Sequence, residues 1–187
     1  MNIILFGPPG AGKGTQAQNI VEKFNLIQIS TGDLLRNEIK NKTDIGMEIE
    51  DTISKGDFAT DEIIDRLLKN KVTNSDIKNK IIFDGYPRSL SQAKNLDLLL
   101  VNSNQKIDFI FFLNVNKETI IKRIEKRKIL EKRSDDNLNT ILKRYDTYME
   151  TTKPVLDFYS KNQNFYEIDG SEEIDVISSK IEQILRV

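Results

Sequence analysis

The segment Gly7-Pro8-Pro9-Gly10-Ala11-Gly12-Lys13-Gly14-Thr15-Gln16 constrains this chain most, because it stands directly behind the apolar run Asn2-Ile3-Ile4-Leu5-Phe6. A short buried strand, a glycine-rich turn and a helix starting near Lys13 together aim several backbone N–H groups and a helix N-terminus at one point. Anions bind at such points. Glycine suits the turn because its backbone reaches positive φ and leaves no Cβ between the amides and an approaching phosphate oxygen. Lys13 adds a point charge for the outer phosphates of a polyphosphate.

The stretch follows the phosphate-loop pattern G-x-x-x-x-G-K-S/T with one departure: Gly14 stands where the hydroxyl residue should follow the lysine, and Thr15 comes next. The pattern therefore assigns no hydroxyl as a direct Mg²⁺ ligand. A plain Gly/Pro turn joining strand to helix is the alternative. The strand before it and the amphipathic segment Gln16 to Phe24 after it favour the phosphate loop.

Composition narrows the chemistry. The 187 residues fit one domain with room for small insertions and include neither cysteine nor histidine. Thiol and imidazole catalysis, disulfides and the usual zinc sites are thereby excluded, leaving Lys, Arg, Asp, Thr and backbone groups to act. With 28 basic and 29 acidic residues, no global field recruits nucleic acid or an anionic membrane. Pro8-Pro9 cuts the apolar N-terminus short and no segment has the length of a membrane span, so a cytoplasmic protein is expected.

Short β-branched or aromatic runs at Ile3 to Phe6, Leu26 to Ile29, Lys80 to Phe83, Asp108 to Leu113 and Phe165 to Ile168 alternate with helical patterns. That rhythm predicts an α/β fold, a mostly parallel sheet covered on both faces, with ligands at the carboxyl ends of its strands. Helix starts are signalled at Thr31, Thr60, Ser89 and Asn116. Pro154 should kink or split the helical segment from Leu138 to Ser160, and Ser171 to Leu185 should form the last helix. Two stretches, Ser30 to Ala59 and Lys126 to Asp136, interrupt the alternation. Both read as insertions over the edge that carries the phosphate loop, and so as lids.

Other residues gather chemistry around that edge. Asp84-Gly85-Tyr86-Pro87-Arg88 follows the third strand, where a carboxylate can hold Mg²⁺ or its waters; a turn would explain the motif except for Arg88. Ser30-Thr31-Gly32-Asp33-Leu34-Leu35-Arg36 also follows a strand, and Thr31 as N-cap would account for it locally. Arg123 and Arg127, four apart, share one helix face, and Arg133 and Arg144 add two more guanidinium groups. A surface stripe and a bidentate phosphate clamp are both open readings of these arginines. Gln92 completes a capping box with Ser89, which would turn its amide back onto the Ser89 N–H.

Taken together and in order, GPPGAGKGTQ (Gly7 to Gln16), STGDLLR (Ser30 to Arg36), DGYPR (Asp84 to Arg88) and RSDDN (Arg133 to Asn137) resemble the adenylate kinase family over essentially the whole chain. The resemblance implies a P-loop core of five parallel strands flanked by helices, formed by residues 1–29, 60–125 and 137–187. It further implies an AMP-binding helical insertion at residues 30–59 and a short lid at 126–136 without a zinc site. The implied reaction is reversible transfer of the γ-phosphoryl group of MgATP to AMP, giving two ADP, by a monomer.

Carried over by motif, Gly10, Ala11, Gly12, Lys13, Gly14 and Thr15 would cradle the ATP phosphates, with Arg123 and Gly170 against adenine or ribose and Arg127 in the phosphate clamp. Thr31, Arg36, Arg88, Gln92, Arg133 and Arg144 would form the AMP side with Gly85, Tyr86 and Pro87, and Asp57, Phe58 and Ala59 would lend mainly backbone around the base. Catalytic charge would come from Lys13, Arg88, Arg127, Arg133 and Arg144. Asp84 and Asp33 would hold Mg²⁺ through water. Within this resemblance pyrimidine monophosphate kinases usually carry alanine at the Thr31 position and asparagine after the Arg88 position, so Thr31, Ser89 and Gln92 fit AMP. A GTPase-like switch is a further reading, since Asn70-Lys71-Val72-Thr73 grazes the N-K-x-D guanine pattern but lacks its aspartate. A nucleic-acid-binding surface at Lys122 to Arg133 fits poorly with the near-zero charge.

Overall fold

The computed structural model describes residues 1–131 and 138–186. Arg133 and the rest of the expected lid from residue 132 onward lie outside the described residues. The rest form strands β1 (Ile3–Phe6), β2 (Ile27–Ser30), β3 (Ile81–Asp84), β4 (Phe109–Asn114) and β5 (Phe165–Asp169). Helices α1 (Lys13–Phe24), α2 (Thr31–Lys40), α3 (Asp44–Ser54), α4 (Asp61–Val72), α5 (Leu90–Asn102), α6 (Lys117–Glu131), α7 (Leu138–Thr147), α8 (Lys153–Tyr159) and α9 (Ile174–Leu185) surround them.

The strands pair in parallel in the order β2-β3-β1-β4-β5. Because β1 lies between β3 and β4, the chain leaves it towards one side of the sheet and later returns to build the other. Loops diverge at that point, and a crevice opens beyond the carboxyl end of β1.

Alternation along the strands buries both faces. Ile4, Phe6, Ile29, Phe83 and Ile110 join one apolar cluster with residues of α2, α3, α4, α5 and α8. Ile3, Leu5, Ile82, Phe111 and Ile168 join the other with residues of α1, α6, α7 and α9. This is the double cover that near-continuous apolar strands require.

Several boundaries differ by one residue from the apolar runs. Leu26 N–H returns to Val21 O at the end of α1, so the ladder of β2 begins at Ile27, whose N–H reaches Lys80 O at 2.7 Å. Lys80 N–H closes a turn on Ile77 O, which moves the start of β3 to Ile81. Thr31 is not the N-cap of α2: Ser30 Oγ accepts from Asp33 N–H, and the Thr31 hydroxyl is free to bond elsewhere. Pro154 splits the long helical segment as expected, with a π-helical turn at Tyr148–Thr152 separating α7 from α8 and the proline in the first turn of α8.

Residues 30–59 contain α2 and α3, which pack against each other through Gly46. A Cβ on Gly46 would lie 2.1 Å from Glu38 O, inside the backbone of α2. Gly46→Ala must therefore push the two helices apart, and we expect a loss of about 1–3 kcal/mol in urea-induced unfolding.

Candidate functional site

The glycine loop leaves β1 and turns into α1 through Gly10 (φ +82°) and Gly12 (φ +92°). A Cβ on Gly10 would strike Ile124, 2.8 Å away, whereas one on Gly12 would meet no protein atom within 4 Å. The loop thus packs on its inner side and stays open above Gly12, where the first N–H groups of α1 have no side-chain cap. Orphan donors facing open space form an anion site.

Lys13 lies beneath that opening. Its ammonium donates to Gly7 O at 2.7 Å and Pro8 O at 3.0 Å. Burial pulls it down to about 8 from 10.5; Asp84 opposes the shift, while Arg88, Arg144 and Arg127 add to it. Arg88, buried and repelled by Arg144 and Arg36, falls to about 10 against the pull of Asp84. Cations thus converge on one place from β3's following loop, α6 and α7. Asp84, buried at the carboxyl end of β3, accepts from Gln28 Nε2 at 2.9 Å.

The facing wall hangs on one carbonyl. Gly85 O accepts from Thr31 Oγ1 at 2.8 Å and from Arg88 Nε at 2.7 Å. The Arg88 guanidinium also lies 4.4 Å from the centroid of the Phe58 ring. Phe58 therefore contributes its ring to this wall, a platform that adds cation–π attraction to the Arg88 guanidinium.

Gln92 forms half of the expected capping box. Its N–H caps on Ser89 Oγ at 3.1 Å, but its side-chain oxygen accepts from Arg88 N–H at 2.7 Å instead of the Ser89 amide. Its Nε2 donates to Asp61 Oδ1 at 2.6 Å, which fixes the amino end. A primary amide has two donors and two acceptor lone pairs, so one of each is left for a base edge. Tyr86, preceding a cis peptide to Pro87, donates to Gln92 O at 3.2 Å and supports this segment.

Other expected residues have additional duties. Arg36 pairs with Asp33 at 2.6 Å across one turn of α2, and the Asp33 side chain is 59 % exposed. The Asp57 carboxylate faces α7, paired with Lys143 at 2.7 Å, and Ala59 is buried in the apolar cluster. Arg123 clasps three carbonyls, those of Gly170 (2.7 Å), Glu172 (3.2 Å) and Ala11 (3.4 Å), tying the glycine loop to the segment after β5. Gly170 is buried, and the cleft wall beyond it is made by Ser171, Glu172, Glu173 and Ile174.

Two spaces result. A cleft of about 890 Å³ runs over the glycine loop, between Arg123 and Arg127 on one side and Arg36 and Arg88 on the other. A crevice of about 30 Å³ lies beside it among Thr31, Leu35, Phe58, Ala59 and Gln92. The cleft has room for a nucleotide ligand, whereas the crevice holds little more than a water, so a base enters it only if its walls part.

Sequence reading missed Gln28, Tyr148 and Thr152, all of which line the cleft. Gln28 sits on a strand, and the other two sit in the π turn. None falls in a phosphate or turn motif that would have marked it.

Among the described residues no cluster of three or more His, Cys, Asp or Glu surrounds a metal-sized space. A lone buried carboxylate facing a phosphate loop suits Mg²⁺ held mainly by phosphates and water, not an all-protein cage.

Comparison with known proteins adds to this geometry. A family model described as adenylate kinase matches residues 5–164. An adenylate kinase of Pelagibacter ubique is 53 % identical, with both chains fully covered. One of Caulobacter sp. is 37 % identical over all of this chain and 99 % of its own, and one of Archaeoglobus fulgidus is 35 % identical over 99 % of this chain and 98 % of its own.

Lys13 gives this site a pH signature. The folded chain holds it at about 8 and an unfolded chain near 10.5. Below pH 8 the fold bears the cost of a desolvated cation, and stability from this group rises between about pH 8 and 10.5. A triphosphate should return the proton. We expect the Lys13 side-chain NMR signal to titrate near pH 8 in the free protein and to move upward by a unit or more with ATP bound.

Proposed function

We propose a division of labour within a chain that belongs to the adenylate kinase family and transfers the γ-phosphoryl group of ATP reversibly to AMP, giving two ADP. The carrying observation is the convergence of Arg88, Arg127 and Arg144 on the buried Lys13 ammonium, with the Asp84 carboxylate acting on both Lys13 and Arg88. Cations so arranged repel one another until a polyanion arrives between them.

ATP phosphates lie over Gly10 to Thr15, where loop amides and the N-terminus of α1 meet them. Lys13 leaves the Gly7 and Pro8 carbonyls and turns its ammonium to the β/γ oxygens. Arg123 offers a guanidinium face to the adenine beside the segment after Gly170. Arg127 neutralises the phosphate chain from α6.

AMP occupies the other wall. Thr31, Gly85 and the Gln92 amide read the base in the crevice once α2 and α3 move outward, with Tyr86, Pro87 and the 57–59 segment shaping its rim. Arg36, Arg88 and Arg144 hold the α-phosphate. Arg133, from the lid motif, joins them from a part of the chain outside the described residues.

The AMP phosphate oxygen attacks in line. With a second phosphate pKa near 6 it is already anionic at neutral pH, so no general base is needed. Catalysis is then positioning and charge neutralisation, supplied by Lys13, the loop amides and the arginines at the equatorial oxygens. Mg²⁺, when bound, neutralises phosphate charge, and Asp84, with Asp33 on the facing wall, would hold it through water. Residues 30–59 and 126–136 act as the two flaps that exclude water.

The reading takes the enzyme as a monomer, as the family resemblance implies. Among the described residues no helix is long and apolar enough to cross a membrane. We take the enzyme to be cytoplasmic, with ATP, AMP and ADP as its partners and no nucleic acid among them.

ADP with Mg²⁺ as sole substrate should yield ATP and AMP in equal amounts, and failure to do so would refute the reaction for this chain. Arg88→Lys should lower kcat by about 100-fold, because an ammonium cannot reproduce the fork. Unchanged turnover would return Arg88 to a structural role at the turn.

A further inference from the structure

Tyr148 is buried with only 6 % of its surface exposed, yet neither apolar cluster includes it. Its hydroxyl has no hydrogen-bond partner among the described residues. Tyr86 and Tyr159, by contrast, both find acceptors for their hydroxyls. An orphaned buried O–H destabilises a fold, and an enzyme keeps one where a ligand completes it.

The location says which ligand. Arg144, Tyr148 and Thr152, spaced four apart, run along α7 and the π turn, and all three line the large cleft. The Thr152 hydroxyl donates to Arg88 O at 3.1 Å, pinning the π turn to the arginine-bearing loop. Such turns recur at functional sites because they re-aim side chains out of the helical register.

A free hydroxyl proton needs an acceptor. The neighbouring charged groups of this wall, Arg88 and Arg144, carry donors alone. Burial pushes the Tyr148 phenol well above its usual range, so it stays a neutral donor at working pH. Phosphate brings acceptors to this wall.

We propose that the Tyr148 hydroxyl contacts substrate, donating a hydrogen bond to a phosphate oxygen when nucleotides fill the cleft. The contact rests on the phosphate site assigned above and adds an uncharged, directional donor to the arginines. A neutral donor orients an oxygen without further raising the mutual repulsion of the cations.

Tyr148→Phe deletes the hydroxyl alone. The unliganded variant should match or exceed the parent in thermal stability. Its affinity for two adenosines joined through a chain of phosphates, and its kcat/KM, should fall by about 10-fold, while its affinity for adenosine stays unchanged. Unaltered affinity for the linked ligand would overturn the proposal, as would a loss of stability in the unliganded protein, which would show that the hydroxyl serves the fold. Arg88→Lys, assayed beside it, separates the two readings. Weakened binding there with none in Tyr148→Phe defeats the tyrosine contact alone, whereas unchanged binding in both defeats the phosphate site as well.

Discussion

A cation held out of water organises this molecule. The Lys13 ammonium is buried against its own loop and in the field of three arginines, with Asp84 opposing them. Such a cluster carries a standing electrostatic cost that a polyphosphate removes, so part of the binding free energy is set aside in the free protein. Everything around it serves to keep the charges close without collapse: Arg88 is fixed through Gly85 O and the Phe58 ring, and Arg123 is spent on three backbone carbonyls. The sheet supplies the rigidity. Register places Asp84 level with Leu5 and with Ser30, so three strand ends present loop, carboxylate and second wall at one height.

The two walls differ in kind. On the loop side, the proposed binding relies on backbone donors and charge, which tolerate variation in the base. On the facing side, a narrow crevice, a hydroxyl on a fixed carbonyl and an amide oriented by Asp61 demand a particular edge. The Gln92 amide, proposed to read the base, also holds the Arg88 N–H, so in that proposal recognition and phosphate positioning share one side chain. A base bound to Gln92 in this way would act on the Arg88 backbone through that hydrogen bond. This gives a physical route by which the correct monophosphate improves the geometry of transfer as well as its own affinity.

Much of this was legible in the residues. Strand number, parallel arrangement and the phosphate loop follow from apolar periodicity and from glycines at fixed spacing, because local backbone preference and two-sided burial leave few alternatives. The proline at 154 and the caps at Thr60 and Ser89 acted where chemistry placed them. Element ends were less legible, since Leu26 and Lys80 are settled by partners remote in sequence or by neighbouring turns. Asn2 makes the same point: fully buried, it binds Gln105 and Lys106 through its side-chain amide and accepts from Ile81 N–H, a polar plug that no local pattern reveals.

The chain by itself determined that a loop of phosphate-binding pattern follows the first strand, that catalysis uses neither thiol nor imidazole, and that the sheet is covered on both faces. Those properties belong to residue types and their spacing. Only the tertiary structure decided that Thr31 serves Gly85 instead of capping its helix, that Gln92 bonds Arg88 and Asp61, that Phe58 lies under a guanidinium, and that the buried Tyr148 hydroxyl has no hydrogen-bond partner among the described residues. Each depends on which groups meet across elements distant in sequence, and hydrogen bonds and ring contacts act over a few ångströms of space, not along the chain.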